Sequence, residues 1–526
     1  MVPIFLLFIA FLSIFPEDLN AQKCAEKLYP GAFRNQVCVC NSTFCDQIEP
    51  VGNEIPEGEI VVYRSSLEGD RMNRFVIKFG DIPEFKVNTT ILIDASQKYQ
   101  KIMGFGGAFT DSAGENLAAI PQALQDQILR AYFGPNGLEY NLGRVPIASC
   151  DFSTHEYSYD DSKEDYELKA FKLAREDLEL KIPFILRAKT LAPNLQLFAS
   201  PWSAPGWMKT TGKMQGGGSL RNSTKIYASY ANYFVMFFEE YQKRHVDFWG
   251  VTIQNEPSTG ADLQWRWQGM NFTGETMRDF LRDYLGPVLK KSEVTRDLKV
   301  MILDDGRGLL PGWADSTFND SIATQFADGI AVHWYGNLYS PPILLDITQK
   351  RHPDKFILAT EACTGYFGHR GPIFGDWFRA ESYADDILTD LNHWVTGWVD
   401  WNLVLDEAGG PNWVLNLVDA PIIVNRTAGE FYKQPMFYAM AHFSKFFPRN
   451  STRIDTKIKG SQFITATSVS ISGGRRATVI LNRGNSSVST RISDVGTKQS
   501  ALIEIAPRSI HTLLWDKKKS RKIRKN

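Results

Sequence analysis

The sequence predicts an α/β protein: a (β/α)8 TIM barrel joined to a β-sandwich built from both termini and to a small disulfide-bound β-sheet domain. Three observations lead there. Between about residues 100 and 401, eight short apolar runs alternate with helical patterns. Strand-rich segments without helical periodicity flank that centre on both sides. Four cysteines, Cys24, Cys38, Cys40 and Cys45, crowd together just after an apolar leader.

Met1 to about Ala21 reads as a secretory signal peptide, because Ile4–Phe15 is an apolar run of about twelve residues, short for a membrane span. Residues 22–50 form the small cysteine-bound unit. Four cysteines allow three pairings, and the residues alone choose none. An exported chain favours two disulfides over zinc, since Cys-x-Cys is a poor zinc spacing and no histidine lies nearby. Residues 51–95 carry the short strands Ile60–Tyr63, Arg74–Lys78 and Thr90–Ile93; residues 452–516 carry Gln462–Thr467, Ala477–Leu481, Ser487–Ile492 and Ser509–Trp515. The two segments are expected to pair as one sandwich.

The barrel is assigned to residues 96–402, with strands near 100–107, 138–148, 195–200, 248–254, 298–303, 329–334, 356–360 and 395–401. Between them, Thr273–Lys291, Ile226–Arg244 and Asp376–Trp394 show apolar residues at helical spacing. Eight alternations in about three hundred residues fit a closed barrel better than a doubly wound sheet. Gly104-Phe-Gly-Gly-Ala-Phe109 fails the dinucleotide pattern at its last position, so no nucleotide site is expected there.

The formal charge of −1 implies neither nucleic acid nor a strongly acidic partner. Thirteen tryptophans lean toward ligands with flat apolar faces, sugar rings among them. Asn-x-Ser/Thr acceptors at Asn41, Asn88, Asn222, Asn271, Asn319, Asn425, Asn450 and Asn485 add an expectation of N-glycosylation. The tail 517–526 carries seven positive charges, without which the chain would stand at −8. It reads as a solvated segment or, more sharply, as one drawn to anionic lipid at about 1 kcal/mol per basic residue near a charged surface.

In such a barrel the active site forms where the carboxyl ends of the strands converge. Val251-Thr-Ile-Gln-Asn-Glu-Pro257 is a β-prone run that stops at a carboxylate, and Phe356-Ile-Leu-Ala-Thr-Glu361 repeats the pattern. Glu256 would end the fourth strand and Glu361 the seventh. Asp111 follows strand one, Arg144 lies on strand two, Trp202 follows strand three, His333 and Tyr335 follow strand six, and Trp401 ends strand eight. Two carboxylates on strand ends are what glycosidic cleavage needs, one to protonate and one to attack. Neither His-Glu-x-x-His nor Gly-x-Ser-x-Gly occurs, so metal and serine hydrolases are set aside and no cofactor is expected.

Asn255-Glu-Pro257, Thr360-Glu-Ala-Cys363, Gly104–Ser112, Arg144–Phe152, Ser200-Pro-Trp202, His333-Trp-Tyr335, Asp400-Trp-Asn402 and Gly410-Pro-Asn-Trp413 together closely resemble the lysosomal acid glucosylceramidases of glycoside hydrolase family 30. The likeness runs from Cys24 to about Trp515. It implies an acid β-glucosidase that cleaves glucosylceramide to glucose and ceramide with retention, with Glu256 as acid/base and Glu361 as nucleophile. It places Asp111, Trp202, Trp401 and Asn416 around the glucose, with Asn255 on the 2-hydroxyl, and pairs Cys24 with Cys38 and Cys40 with Cys45. Residues of about 403–435 are expected to complete the small domain and about 436–451 the barrel. The resemblance further implies a lysosomal lumen address, with secretion as the alternative, access to substrate at a membrane surface, and help from anionic phospholipid and a saposin-like activator.

Retention requires the carboxyls about 5 Å apart. Glu361 then needs a cationic neighbour, for which Arg144 is the candidate, while burial and the charge of Glu361 favour a protonated Glu256. The chain departs from the family at Gln254, where a glutamate is usual, and over residues 262–272 on the aglycone side. Two rival readings are another retaining β-glycosidase acting on a polysaccharide or xyloside, and a catalytically dead glycolipid-binding homologue.

Overall fold

The computed structural model describes residues 23–82 and 87–517; the expected signal peptide and the basic tail beyond Lys517 lie outside the described residues. Eight parallel strands, Gly104–Ala108, Leu142–Ile147, Gln196–Pro201, Gly250–Thr252, Lys299–Gly306, Gly329–His333, Phe356–Glu361 and Val395–Asn402, close into a barrel in sequence order. Helices cover the outside, so the strands are buried on both faces; every residue of Leu142–Ile147 is buried. Leu142, Phe198, Met301, Ala331, Leu358 and Val399 fill the interior, which is a packed core and not a pore. The glycines that open the first strand serve this packing: a Cβ on Gly106 would lie 2.0 Å from the Leu142 carbonyl oxygen.

The expected helix over 273–291 is present but not uniform. Gly274–Phe280 is α-helical, Leu281–Leu285 widens to π geometry, and Gly286–Lys291 returns to α. Pro287 has no N–H for the preceding turn, and the wider turn accommodates the missing bond.

Glu59–Ser66 pairs antiparallel with Ser509–Asp516, and Thr89–Lys101 runs parallel to Val488–Asp494. The segments before and after the barrel thus share one sandwich. Its nine strands are hydrogen-bonded in a single continuous order that curls until its two end strands, Asn73–Lys78 and Gln499–Ile505, lie against each other. Ile60, Ile91, Ile480, Ile492, Leu513 and Trp515 form its core.

The small sheet takes Glu26–Tyr29 and Asn35–Asn41 from one end of the chain and Val404–Asp406, Ile422–Asn425 and Glu430–Lys433 from beyond the last barrel strand. Disulfides join Cys24 to Cys38 and Cys40 to Cys45, while Cys150 and Cys363 are free and buried. Among the sequon asparagines, Asn88, Asn222, Asn319, Asn450 and Asn485 are exposed, and Asn41, Asn271 and Asn425 are half-buried. Among the described residues no helix is long and apolar enough to cross a membrane.

Candidate active site

A cavity of about 340 Å³ opens at the carboxyl end of the barrel, and Glu256 and Glu361 both line it. Glu361 is the last residue of the seventh strand. Glu256 lies beyond the short fourth strand in a left-handed turn, φ +43°, which L-residues adopt only when the surroundings hold them there. Its backbone N–H donates to the Asp304 carbonyl at 2.9 Å, fixing that turn to the fifth strand. One oxygen of each glutamate and a ring nitrogen of His333 lie within 4.8 Å of one another.

The surrounding groups form one charged cluster. Arg144, fully buried, donates to Glu361 Oε2 and, at 2.8 Å each, to Asp304 Oδ2 and Asn255 Oδ1. Tyr335 Oη–H donates to Glu361 Oε1 at 2.8 Å. His333 bridges Asp304 Oδ1 (Nε2, 2.9 Å) and Glu256 Oε1 (Nδ1, 3.2 Å). Burial alone would lower the His333 pKa, but the charges of Glu361 and Asp304 outweigh it and raise the value to about 10. Burial pushes Asp304 up, yet Arg144 and His333 hold it well below the usual carboxylate range. Arg144 and His333 thus face Asp304, Glu361 and Glu256 within one cluster.

Arg144 is therefore where the sequence puts a cation for Glu361. Its pull is downward, as is that of His333, but burial and the Glu256 charge prevail and the Glu361 carboxyl is raised. The carboxylate pair and His333 are also spaced to hold a cation. Arg144 and the imidazolium already supply the positive charge that a metal ion would bring.

Trp202 and Trp401 stack 5.1 Å apart on the cavity wall, with the Arg144 guanidinium 4.9 and 5.4 Å from their rings. Asn255, Asn416 and Tyr335 also line the cavity. Gln254 is fully buried, and its Nε2 donates to the carbonyls of Trp202 (2.7 Å) and Asn255 (2.9 Å). It thereby ties the third strand end to the turn that carries Glu256.

Asp111 is not in this group. It opens the helix Asp111–Ala118 and does not line the cavity. Its carboxylate is taken up by Lys181 at 3.2 Å, Ser153 Oγ at 2.6 Å and Tyr157 Oη at 2.9 Å. The acid that does line the cavity on this side is Asp151, which accepts from Asn416 Nδ2 at 2.9 Å and Asn412 Nδ2 at 3.4 Å. Burial, opposed by the Asn416 hydrogen bond and reinforced by the charges of Glu361 and Glu256, raises its pKa to about 7.

Asp151 stands in Arg144–Phe152, at the turn after strand two, so an acid just past a strand end was again the available signal. Asp304 is the other residue that sequence reasoning missed. Leu303 and Asp304 both have positive φ (71° and 60°) at a register break in the fifth strand, and that bulge turns Asp304 inward between Arg144 and His333. The Asp304-Asp305 pair at a strand end was the only trace of it in the sequence.

Comparison with known proteins agrees with this architecture. Residues 102–447 match the glycosyl hydrolase family 30 TIM-barrel domain and residues 450–513 the family 30 beta sandwich domain. The chain is 66% identical over 500 residues to "Putative glucosylceramidase 3" of Caenorhabditis elegans, covering 94% of this chain and 96% of that one. It is 41% identical over 505 residues to the lysosomal acid glucosylceramidase of Mus musculus, with the same coverage, 94% and 96%. The crystal structure of SrfJ from Salmonella typhimurium superposes with a TM-score of 0.80 at 26% identity, covering 88% of this chain and all of that one. With the family's barrel and sandwich both matched, and two glutamates facing each other across the barrel mouth, this chain belongs to glycoside hydrolase family 30.

Proposed function

We infer that the chain is a retaining β-glucosidase acting on glucosylceramide, with Glu361 as nucleophile and Glu256 as acid/base. The observation that carries the mechanism is the approach of the two carboxylates: with oxygens within 4.8 Å there is no room for a water between Glu361 and an anomeric carbon, which favours direct attack. In the first step Glu361 bonds to the anomeric carbon, the carbon–oxygen bond to the leaving group breaks, and Glu256 delivers its proton to the departing oxygen. Once Glu361 is an ester its charge is gone, and Glu256, now ionised beside His333, accepts a proton from the water that displaces the sugar.

Arg144 and Tyr335 hold both oxygens of Glu361 for the attack. Asn255 gives its Oδ1 to Arg144, which leaves its amide NH2 for the sugar 2-hydroxyl. Trp202 and Trp401 offer flat faces to the ring, and Asp151 with Asn416 offers acceptors and donors to its hydroxyls. The choice of glucosylceramide rests on the likeness to the glucosylceramidases. On the family resemblance alone, the reading extends to work at the lumenal membrane surface of the lysosome, with anionic phospholipid and a saposin-like activator as helpers.

The test is hydrolysis of glucosylceramide in vesicles with and without anionic lipid, with the released anomer followed by NMR. The reading expects β-glucose first and no turnover by a folded Glu361→Gln variant. Release of α-glucose, or activity in that variant, would overturn it.

A further inference from the structure

Asp111 is buried outside the cavity, where burial raises its carboxyl against the pull of Lys181, and holding an ion pair there is expensive. Its partners show where it acts. Ser153 Oγ–H donates to Asp111 Oδ2, and the same Oγ accepts from the Cys150 backbone N–H at 3.1 Å, closing the turn Cys150–Ser153 around Asp151. A serine hydroxyl has one proton. Because the carboxylate takes it, the Oγ lone pairs are turned toward Cys150. Ser112, next along the helix, donates its backbone N–H to the Phe152 carbonyl at 3.0 Å, and its Oγ lies between the Phe152 and Pro411 carbonyls. On the other side, Gln268 Nε2 and Trp413 Nε1 both donate to the Cys150 carbonyl, at 3.2 and 3.0 Å. The turn starts from Ala148, whose φ of +63° is a conformation a non-glycine residue holds only under constraint.

We propose that Asp111 is a positioning residue for the sugar site: through Ser153 it sets the Cys150–Ser153 turn and so the place of the Asp151 carboxylate in the cavity. Lys181 serves it by keeping the charge in place, lying 3.2 Å from Asp111 and 2.8 Å from Asp177. The proposal rests on the reading that Asp151 holds sugar hydroxyls.

The test is a double-mutant cycle between Asp111→Asn and Asp151→Asn, read as the Kd of a gluco-configured iminosugar by calorimetry and as KM and kcat on an aryl β-glucoside. Asp111→Asn should weaken iminosugar binding and raise KM by about tenfold, the size of one lost hydrogen bond to a charged group, and move kcat less. In the background of Asp151→Asn, the Asp111 substitution should do little more, because its effect passes through Asp151. Ser153→Ala removes the middle link while the Asp111–Lys181 pair stays, and should reproduce the binding loss if Asp111→Asn fails to fold. Full additivity with Asp151→Asn, or unchanged binding in Ser153→Ala, would overturn the proposal. A chain that binds the iminosugar but hydrolyses no β-glucoside would refute the glucosidase reading and still report on Asp111.

Discussion

Replacing Asp151 by asparagine should make the protein more stable at neutral pH and a poorer enzyme. Asp151 is buried in the cavity with a pKa of about 7, against an ordinary 3.8. A folded-state pKa raised above the unfolded value gives a contribution that is complete below the unfolded pKa and is lost as pH rises through the folded one. Here it is complete below 3.8 and gone above about 7. At about 1.36 kcal/mol per pKa unit, the loss comes to about 4 kcal/mol, an upper value for a group so close to other charges. Asparagine keeps the shape and cannot ionise, so Asp151→Asn escapes that loss. Urea unfolding of both proteins across the pH range, followed by tryptophan fluorescence, should show a stability difference near zero at pH 4 that grows toward pH 7 in favour of the variant. A constant difference, or a variant less stable at neutral pH, would refute the reasoning. Turnover should fall most above about pH 7, where the parent has an ionised acceptor for sugar hydroxyls and the variant has none, a case of stability given up for a site.

Three further outcomes are expected. Asp304→Asn strips the carboxylate from between Arg144 and His333 and should lower the unfolding free energy by about 3–5 kcal/mol, the cost of breaking a buried pair. It should also shrink the stability that His333 contributes below pH 6.5 and loses as pH rises toward 10, read by unfolding at pH 6 and pH 10. Tyr335→Phe removes a donor to Glu361 and should reduce kcat by roughly ten- to a hundredfold on an aryl β-glucoside, with the fold intact by circular dichroism. Gln254→Glu puts an acid opposite two carbonyls that need donors, so it must be protonated and can then serve only one. Its stability should fall by about 1–3 kcal/mol at neutral pH and recover as the medium is acidified, measured by thermal unfolding at both pH values.

The barrel was legible because buried parallel strands read as unbroken apolar runs, and all eight fall close to where those runs lie. Thr452–Lys459 was missed because its residues alternate between charge and apolar character, as a half-exposed strand does. Glu256 and Glu361 stand out because each ends an apolar run on a carboxylate. The same cue misled at Asp111, where sequence cannot show that the helix turns the acid away toward Lys181, seventy residues along the chain. Asp304 depends on a bulge, a backbone event with no composition of its own. The charge on His333 depends on partners from the fifth and seventh strands, which only the closed barrel brings together.

The pairing of Glu59–Ser66 with Ser509–Asp516 has a consequence for synthesis. About 440 residues separate the two strands, and a ribosome adding roughly 5–20 residues per second needs about 20–90 s to make them. Throughout that interval Ile60 and Val62, fully buried in the finished sandwich, have no permanent partner strand on that side, while the barrel between them can already fold. An unpaired apolar strand waiting that long is a template for association with other chains. The strand Glu59–Ser66 therefore waits for its second neighbour until nearly the last residues of the sandwich emerge.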